Sequence, residues 1–168
     1  MLALLAGSAV LVFSYVKAAA QTPLATEGIY HQQYQMHRFA TKFYQEPVAV
    51  NDLGWVSYQN PAFVLDLQGL GSEPVRRLRA ADGFDAARMA ELASRYNIGL
   101  VMIYKSWFPD IPSTWRQVAV LHAKSLTAAD QEVAFFVTPD ADMKRVSQAL
   151  AEFQPTLPRG VTLDVEPI

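Results

Sequence analysis

From Asp85 to Tyr96 the chain places Met89, Leu92, Ala93 and Tyr96 at i, i+3, i+4 and i+7, and just beyond it enters the unbroken apolar run Gly99-Leu100-Val101-Met102-Ile103-Tyr104. No other feature constrains the fold as tightly. The first segment is an amphipathic helix with Asp85 as N-cap and Asn97 at its C-terminal end. The second lacks alternation because both of its faces are apolar, which is how a strand reads when helices cover a parallel sheet on both sides. Val48-Ala49-Val50, ending at Asn51-Asp52-Leu53-Gly54, and Phe63 to Leu67, ending at Gly69-Leu70-Gly71, read as further short strands. Strands are also expected over Gln117 to Leu121 and Glu132 to Val137, and a helix over Asp140 to Phe153 with Met143, Val146, Leu150 and Phe153 facing the sheet. Pro155, Pro158 and Pro167 mark an irregular tail. These elements predict an α/β, three-layer sandwich with a mostly parallel, mixed sheet.

The amino-terminal stretch is of a different kind. Leu2 to Val16 contains no charged residue, and after Lys17 the apolar character continues through Ala20 before Gln21-Thr22-Pro23. A membrane-spanning helix needs about 20 predominantly apolar residues, so residues 1–20 read as a transmembrane helix if Lys17 snorkels to the interface. A cleaved signal peptide is the competing reading, but the positively charged n-region is missing. A buried soluble helix is another, although nothing downstream offers a comparable apolar partner. The expected division is therefore a transmembrane helix over 1–20, possible as the last span of a larger protein, and a soluble α/β domain over 21–168. Within that domain Thr26 is the expected N-cap of a helix from Glu27 to Tyr44 that Pro47 stops.

Composition excludes several functions. With 14 Lys and Arg against 16 Asp and Glu, a net charge of −2 and no basic cluster, the 168-residue chain is not built to neutralise phosphates of nucleic acid. The absence of Cys rules out disulfides and thiolate metal sites, and His31, His37 and His122 have no metal-ligand spacing. No motif calls for a metal or a cofactor: Gly69-Leu70-Gly71-Ser72 lacks the third glycine of a dinucleotide loop, and neither a P-loop nor a G-x-S-x-G elbow is present.

Ligands of open α/β sheets bind beyond the carboxyl ends of the strands, where loops gather polar groups. That rule selects Asn51, Asp52, Asp66 and Gly69, together with the loop from Lys105 to Pro112 containing Trp107 and Asp110. Asp52 and Asp66 form a carboxylate pair if their strands are neighbours, and His122 at a strand end is a candidate general base. Each has a structural alternative: Asp52 as a cap, Asp66 as an acceptor of backbone hydrogen bonds, Trp107 and Phe108 as cover for the sheet. The aromatic run of Tyr30, Tyr34 and His37 reads as a core or interface face before it reads as a ligand platform.

The segment Val48-Ala-Val-Asn-Asp-Leu-Gly-Trp-Val-Ser-Tyr58, followed by Val64-Leu-Asp-Leu-Gln-Gly-Leu70 and Ser72-Glu73, resembles the C-terminal extracytoplasmic domain of bacterial GT-C type multi-span glycosyltransferases, the protein mannosyltransferase and lipid A sugar transferase-like enzymes. In those families a polyprenyl-phosphate sugar is the donor, and the catalytic acid lies in a loop after the first span that has no counterpart here. The resemblance adds Tyr58 to the binding candidates and carries over no catalytic residue. It implies a non-catalytic accessory domain at the bacterial inner membrane, periplasmic in placement, whose partners are the bilayer through residues 1–20, the spans of a parent protein, and the sugar lipid that parent handles. A stand-alone exported module binding a small polar ligand is the alternative expectation, and a small hydrolase built on Asp52, Asp66 and His122 is a third.

Overall fold

A computed structural model describes residues 2–124 and 129–167, with side chains from residue 12 onward. The chain opens in helix α1 (Leu2–His31), which continues through Pro23 instead of ending there. Proline removes one backbone donor and crowds the carbonyl four residues back, a local disturbance that α1 absorbs without ending. Around that gap the Thr22 hydroxyl donates to the Ala18 carbonyl and the Thr26 hydroxyl to the Thr22 carbonyl, each at 2.9 Å. Thr26 is therefore a helix-interior residue and not the expected N-cap. The break comes at Gln32 (φ −119°, ψ −76°), an elbow after which α2 (Gln33–Arg38) leads into a π-helical turn, Phe39–Tyr44. Among the described residues no helix is long and apolar enough to cross a membrane, so the expected span over 1–20 finds no support in the fold.

Ten further regular elements follow: β1 (Val48–Val50), α3 (Gly54–Ser57), β2 (Val64–Asp66), α4 (Glu73–Ala80), α5 (Ala86–Arg95), β3 (Leu100–Ile103), β4 (Arg116–Ala123), β5 (Glu132–Val137), α6 (Met143–Phe153) and β6 (Val161–Val165). Asp85 caps α5 as expected, its carboxylate accepting the Arg88 N–H at 2.8 Å. The strands form one mixed sheet in the order β2-β1-β3-β5-β4-β6. β1 pairs in parallel with β2 and β3, whereas β3–β5, β5–β4 and β4–β6 are antiparallel, so the sheet is not mostly parallel. The physical reason lies in the connections. β5 lies between β3 and β4, which run in the same direction, and it returns from β4 through a connection too short for a parallel crossover, so it pairs antiparallel with both.

Alternation along the strands builds a core on each face. Val48, Val50, Leu100, Met102 and Phe135 meet Met36, Phe39, Leu150 and Phe153 on one side. Ala49, Val101, Ile103 and Phe136 meet Val75, Met89 and Leu92 on the other. The expected three layers are present. The tail is not irregular: β6 inserts Val161 and Leu163 into the first core, with prolines flanking the strand and none inside it. Helix α4 escapes a periodicity search because Val75 is its one buried residue among charged neighbours.

Phe39 is fully buried, edge-on to Phe135 and Phe153 at 5.2 Å, and joins α2, the sheet and α6. Phe39→Ala is expected to destabilise the domain by about 3–5 kcal/mol, read as a lower midpoint in chemical denaturation with the slope unchanged.

Candidate functional site

The chain leaves β1 toward β2 and leaves β3 toward the opposite side of the sheet, so the carboxyl ends of β1 and β3 flank a topological switch point. Side chains from three elements converge there. Asn51, 2% exposed, accepts the Tyr104 N–H through Oδ1 at 2.8 Å and ties the two strand ends together. The Tyr104 hydroxyl donates to Gln32 Oε1 at 2.8 Å and lies 3.2 Å from Asp52 Oδ2. Gln32 in turn donates to the Asp130 carbonyl at 2.8 Å, and Gln33 donates to Asp52 Oδ2 at 3.1 Å. The elbow after α1 thus fills the crevice with its own amides. Burial, reinforced by the Asp52 carboxylate, pushes the Tyr104 phenol well above its ordinary range.

Beside this network lie the three buried side-chain polar atoms that have no partner among the described residues: Gln33 Oε1, His37 Nδ1 and Asn51 Nδ2. His37 stacks on Tyr34 at 5.8 Å and meets the Trp55 ring at the same distance. Burial lowers its pKa, opposed by a hydrogen bond to the Trp55 backbone, which favours a neutral imidazole. Trp55 then touches Tyr58 edge-on at 5.7 Å, and with Gly54 the two rings line a shallow apolar groove. Tyr30, Trp55, Tyr58 and Trp107 are all substantially exposed, which leaves an aromatic surface around the base of α1.

The sequence candidates divide accordingly. Asn51 and Asp52 belong to the switch-point network. Tyr58 stands on the aromatic surface, and Trp107 joins it by packing edge-on to Tyr104 at 5.3 Å. Asp66 does not form a carboxylate pair with Asp52 even though β1 and β2 are neighbours. It is fully buried, its Oδ1 accepts the Gln68 N–H at 2.8 Å, its Oδ2 accepts the Gly71 N–H at 2.6 Å, and its own N–H bonds the Ser72 hydroxyl. Asp66 therefore organises the turn into α4. Gly69 serves the same turn in a left-handed conformation (φ +85°), where a Cβ would sit 2.9 Å from Arg76 Cα. Asp110 is exposed on the loop before β4. His122 lies on β4 between Glu132 (3.4 Å) and Asp164 (3.1 Å), with β3 and β5 separating it from Asp52, so no Asp52, Asp66 and His122 constellation forms. Among the described residues no group of acidic and histidine side chains is arranged to hold a metal.

Sequence reasoning missed Gln32, Gln33 and Tyr104. Tyr104 was accessible in principle, since it is the one polar tip at the end of the apolar β3 run. Nothing local announces the elbow at Gln32.

Residues 25–136 match the model of a protein family described as a domain of unknown function, DUF8728, a span that takes in the elbow, the three parallel strands and the whole switch-point network. No curated protein and no solved structure matches the chain.

Tyr104→Phe removes the contacts to Gln32 and Asp52 and is expected to cost about 1–2 kcal/mol in denaturation. Because the folded state holds this phenol neutral, its stabilising contribution is complete below the unfolded-chain value of about 10 and declines as the pH climbs beyond it. The variant should lose stability less steeply than the parent across that alkaline range. Gly69→Ala should cost about 2 kcal/mol or more, through the left-handed backbone and the clash with α4 together, measured as a fall in Tm.

Proposed function

The chain belongs to the DUF8728 family, and from that premise we propose that it works as a membrane-associated accessory domain, held to the bilayer by α1, that presents its strand-end face to a larger glycosyltransferase-type membrane protein. The supporting observation is α1 itself. Every described side chain from Val12 to Leu24 is exposed, including Val12, Phe13, Tyr15 and Val16, and no part of the body packs on them. The apolar residues do not gather on one stripe, so no single protein face matches the helix, whereas lipid tails solvate an apolar surface from all directions. The uncharged sequence from Leu2 to Val16 extends that character.

Length sets the geometry of this reading. Thirty residues of helix extend about 45 Å, of which the first 20 match the roughly 30 Å of a hydrocarbon core. The remaining turns form a stalk of about 15 Å, which lifts the aromatic surface of Trp55, Tyr58 and Trp107 to the height of extramembrane loops. The resemblance to GT-C type enzymes supplies the kind of partner: a multi-span protein using a polyprenyl-phosphate sugar, with this domain on the periplasmic side of a bacterial inner membrane, shaping acceptor access to the active site.

A second reading, a module that binds a small polar ligand at the switch point, is favoured by one observation, the unpartnered Asn51 Nδ2 and Gln33 Oε1 beside the crevice. In that case Gln32 acts as a plug that a ligand displaces.

Vesicle flotation tests the first reading. The full chain should float with phosphatidylethanolamine and phosphatidylglycerol vesicles, and the double variant Val12→Asp, Val16→Asp should remain with the soluble fraction while keeping its circular dichroism. Equal flotation of both proteins, or of neither, would defeat the proposal, as would sugar transfer from a polyprenyl-phosphate donor by the purified chain alone.

A further inference from the structure

The single turn α3, laid against α2 just after β1, is bordered by every buried side-chain polar atom that lacks a partner among the described residues. Gln33 and His37 stand four residues apart on one face of α2. Gln33 donates through Nε2 to Asp52, which fixes the amide and leaves Oε1 as a buried acceptor without a partner. Asn51, next to Asp52 in the chain and 2% exposed, is fixed in the same way: its Oδ1 takes the Tyr104 N–H, so the unpartnered Nδ2 is a donor. His37 Nδ1 is the third such atom. Burial keeps that imidazole neutral, so Nδ1 donates or accepts according to the tautomer. Buried polar groups are otherwise paired, and these three ask for a partner that both gives and takes hydrogen bonds.

Outside α3, Gly54, Trp55 and Tyr58 line a groove of about 430 Å³. Gly54 connects it to the polar side: a Cβ there would sit 3.6 Å from Asp52 Oδ1, while Asp52 Oδ2 is taken by Gln33 and Tyr104. Trp55 is the wall between the groove and His37, its ring 5.8 Å from the imidazole. The Trp55 and Tyr58 rings meet at 77°, so the groove is a corner and not a slot. A flat heteroaromatic ring stacks on one wall of such a corner. A saturated ring turns C–H hydrogens to both, and these are drawn to the negative faces of the aromatic rings.

We propose that this corner binds a pyranose sugar, with its C–H face on Trp55 and Tyr58 and its hydroxyls reaching past Gly54 to Asp52 Oδ1 and to the unpartnered atoms of Gln33, His37 and Asn51. The inference names the ligand class for the small-ligand reading of the switch point, and it rests on that reading. Hydroxyls are the chemistry that fits, because each one donates and accepts and so answers an acceptor, a donor and an imidazole of either tautomer. The exposed Trp55 ring shifts to admit them. An anion is repelled by the Asp52 carboxylate, and an ammonium offers nothing to the Asn51 donor. Among the described residues no acidic and histidine side chains are grouped to hold a metal.

The test is titration of the full isotope-labelled chain, in zwitterionic micelles free of sugar headgroups, with the methyl pyranosides of glucose, galactose and mannose and separately with nicotinamide. At least one pyranoside should give saturable shifts at the Gly54 amide, the Trp55 indole and His37 Nδ1, the last reporting a new hydrogen bond that ring stacking alone does not make. Cyclohexanemethanol, a saturated ring without the hydroxyl array, should leave His37 Nδ1 unmoved. Tyr58→Ala, at an exposed position, should weaken binding about fivefold. Gly54→Ala, whose methyl group meets Asp52 at ordinary contact distance but narrows the way to it, should weaken binding about tenfold. Nicotinamide shifting His37 Nδ1 while no pyranoside does would overturn the sugar and leave the small-ligand reading standing. No saturable shift from any probe would overturn both. Pyranoside binding that is unchanged in both variants, or matched by cyclohexanemethanol at His37, would overturn the proposal.

Discussion

The hydrogen bond from the Tyr104 hydroxyl to Gln32 is the contact on which the arrangement of the molecule depends. It joins the end of the central strand to the elbow where a 30-residue helix turns into the body. At that corner it works with the Gln35 amide, which donates to the Tyr30 carbonyl, and the stacked Tyr30 and Tyr34 rings, whereas the described side chains of α1 up to Leu24 are exposed. The bond is strong for its setting. Both partners are almost fully buried, so breaking it strands two polar groups out of water, which costs more than the bond is worth on the surface. Asn51 and Asp52 extend the network to β1, and Gln32 extends it to the start of β5 through the Asp130 carbonyl. One small polar cluster thereby sets the direction in which α1 leaves a six-stranded sheet.

The same cluster explains why the usual ligand position of such a sheet is filled. At the switch point the crevice between β1 and β3 normally opens to solvent; here the elbow lies across it and its amides take the hydrogen-bonding groups a ligand would meet. The exposed chemistry is moved outward, to the rings of Tyr58, Trp55 and Trp107 around the helix base. π-helical insertions are rare and recur at functional positions, because an extra residue re-aims one side chain without breaking the helix.

The helix and strand ranges from α5 through β5 were legible because burial imposes periodicity: the spacing of Met89, Leu92 and Ala93, and the unbroken apolar run of β3, leave few other folds. Direction was not legible in the same way. A strand buried on both faces looks alike whether its neighbour runs with it or against it, so the run of β3 suggests a mostly parallel sheet, whereas the strand is parallel to β1 and antiparallel to β5. The short connection between the strands expected at Gln117 to Leu121 and Glu132 to Val137 was the one clue, since it allows only an antiparallel return. β6 was obscured by prolines that flank its alternating Val161 and Leu163, and α4 by its charged surface. Pro23 misled in the opposite sense, because α1 continues through it despite the lost hydrogen bond and the crowding of the preceding turn.

For the site, the strand-end rule found Asn51 and Asp52 from their position after a short apolar run, but it selected Asp66 as well, and only the hydrogen bonds of the fold assign that carboxylate to a structural turn. What the amino-acid sequence determined by itself was therefore local: which segments bury a face, where turns must fall, and which polar groups stand at strand ends. Tertiary structure alone decided the rest. The pairing of Gln32 with Tyr104, 72 residues apart, and the approach of Tyr44 to Gly99 are long-range encounters. Sequence periodicity records how a residue meets its own layer, and carries no information about which distant side chain will complete its hydrogen bonds once the layers close.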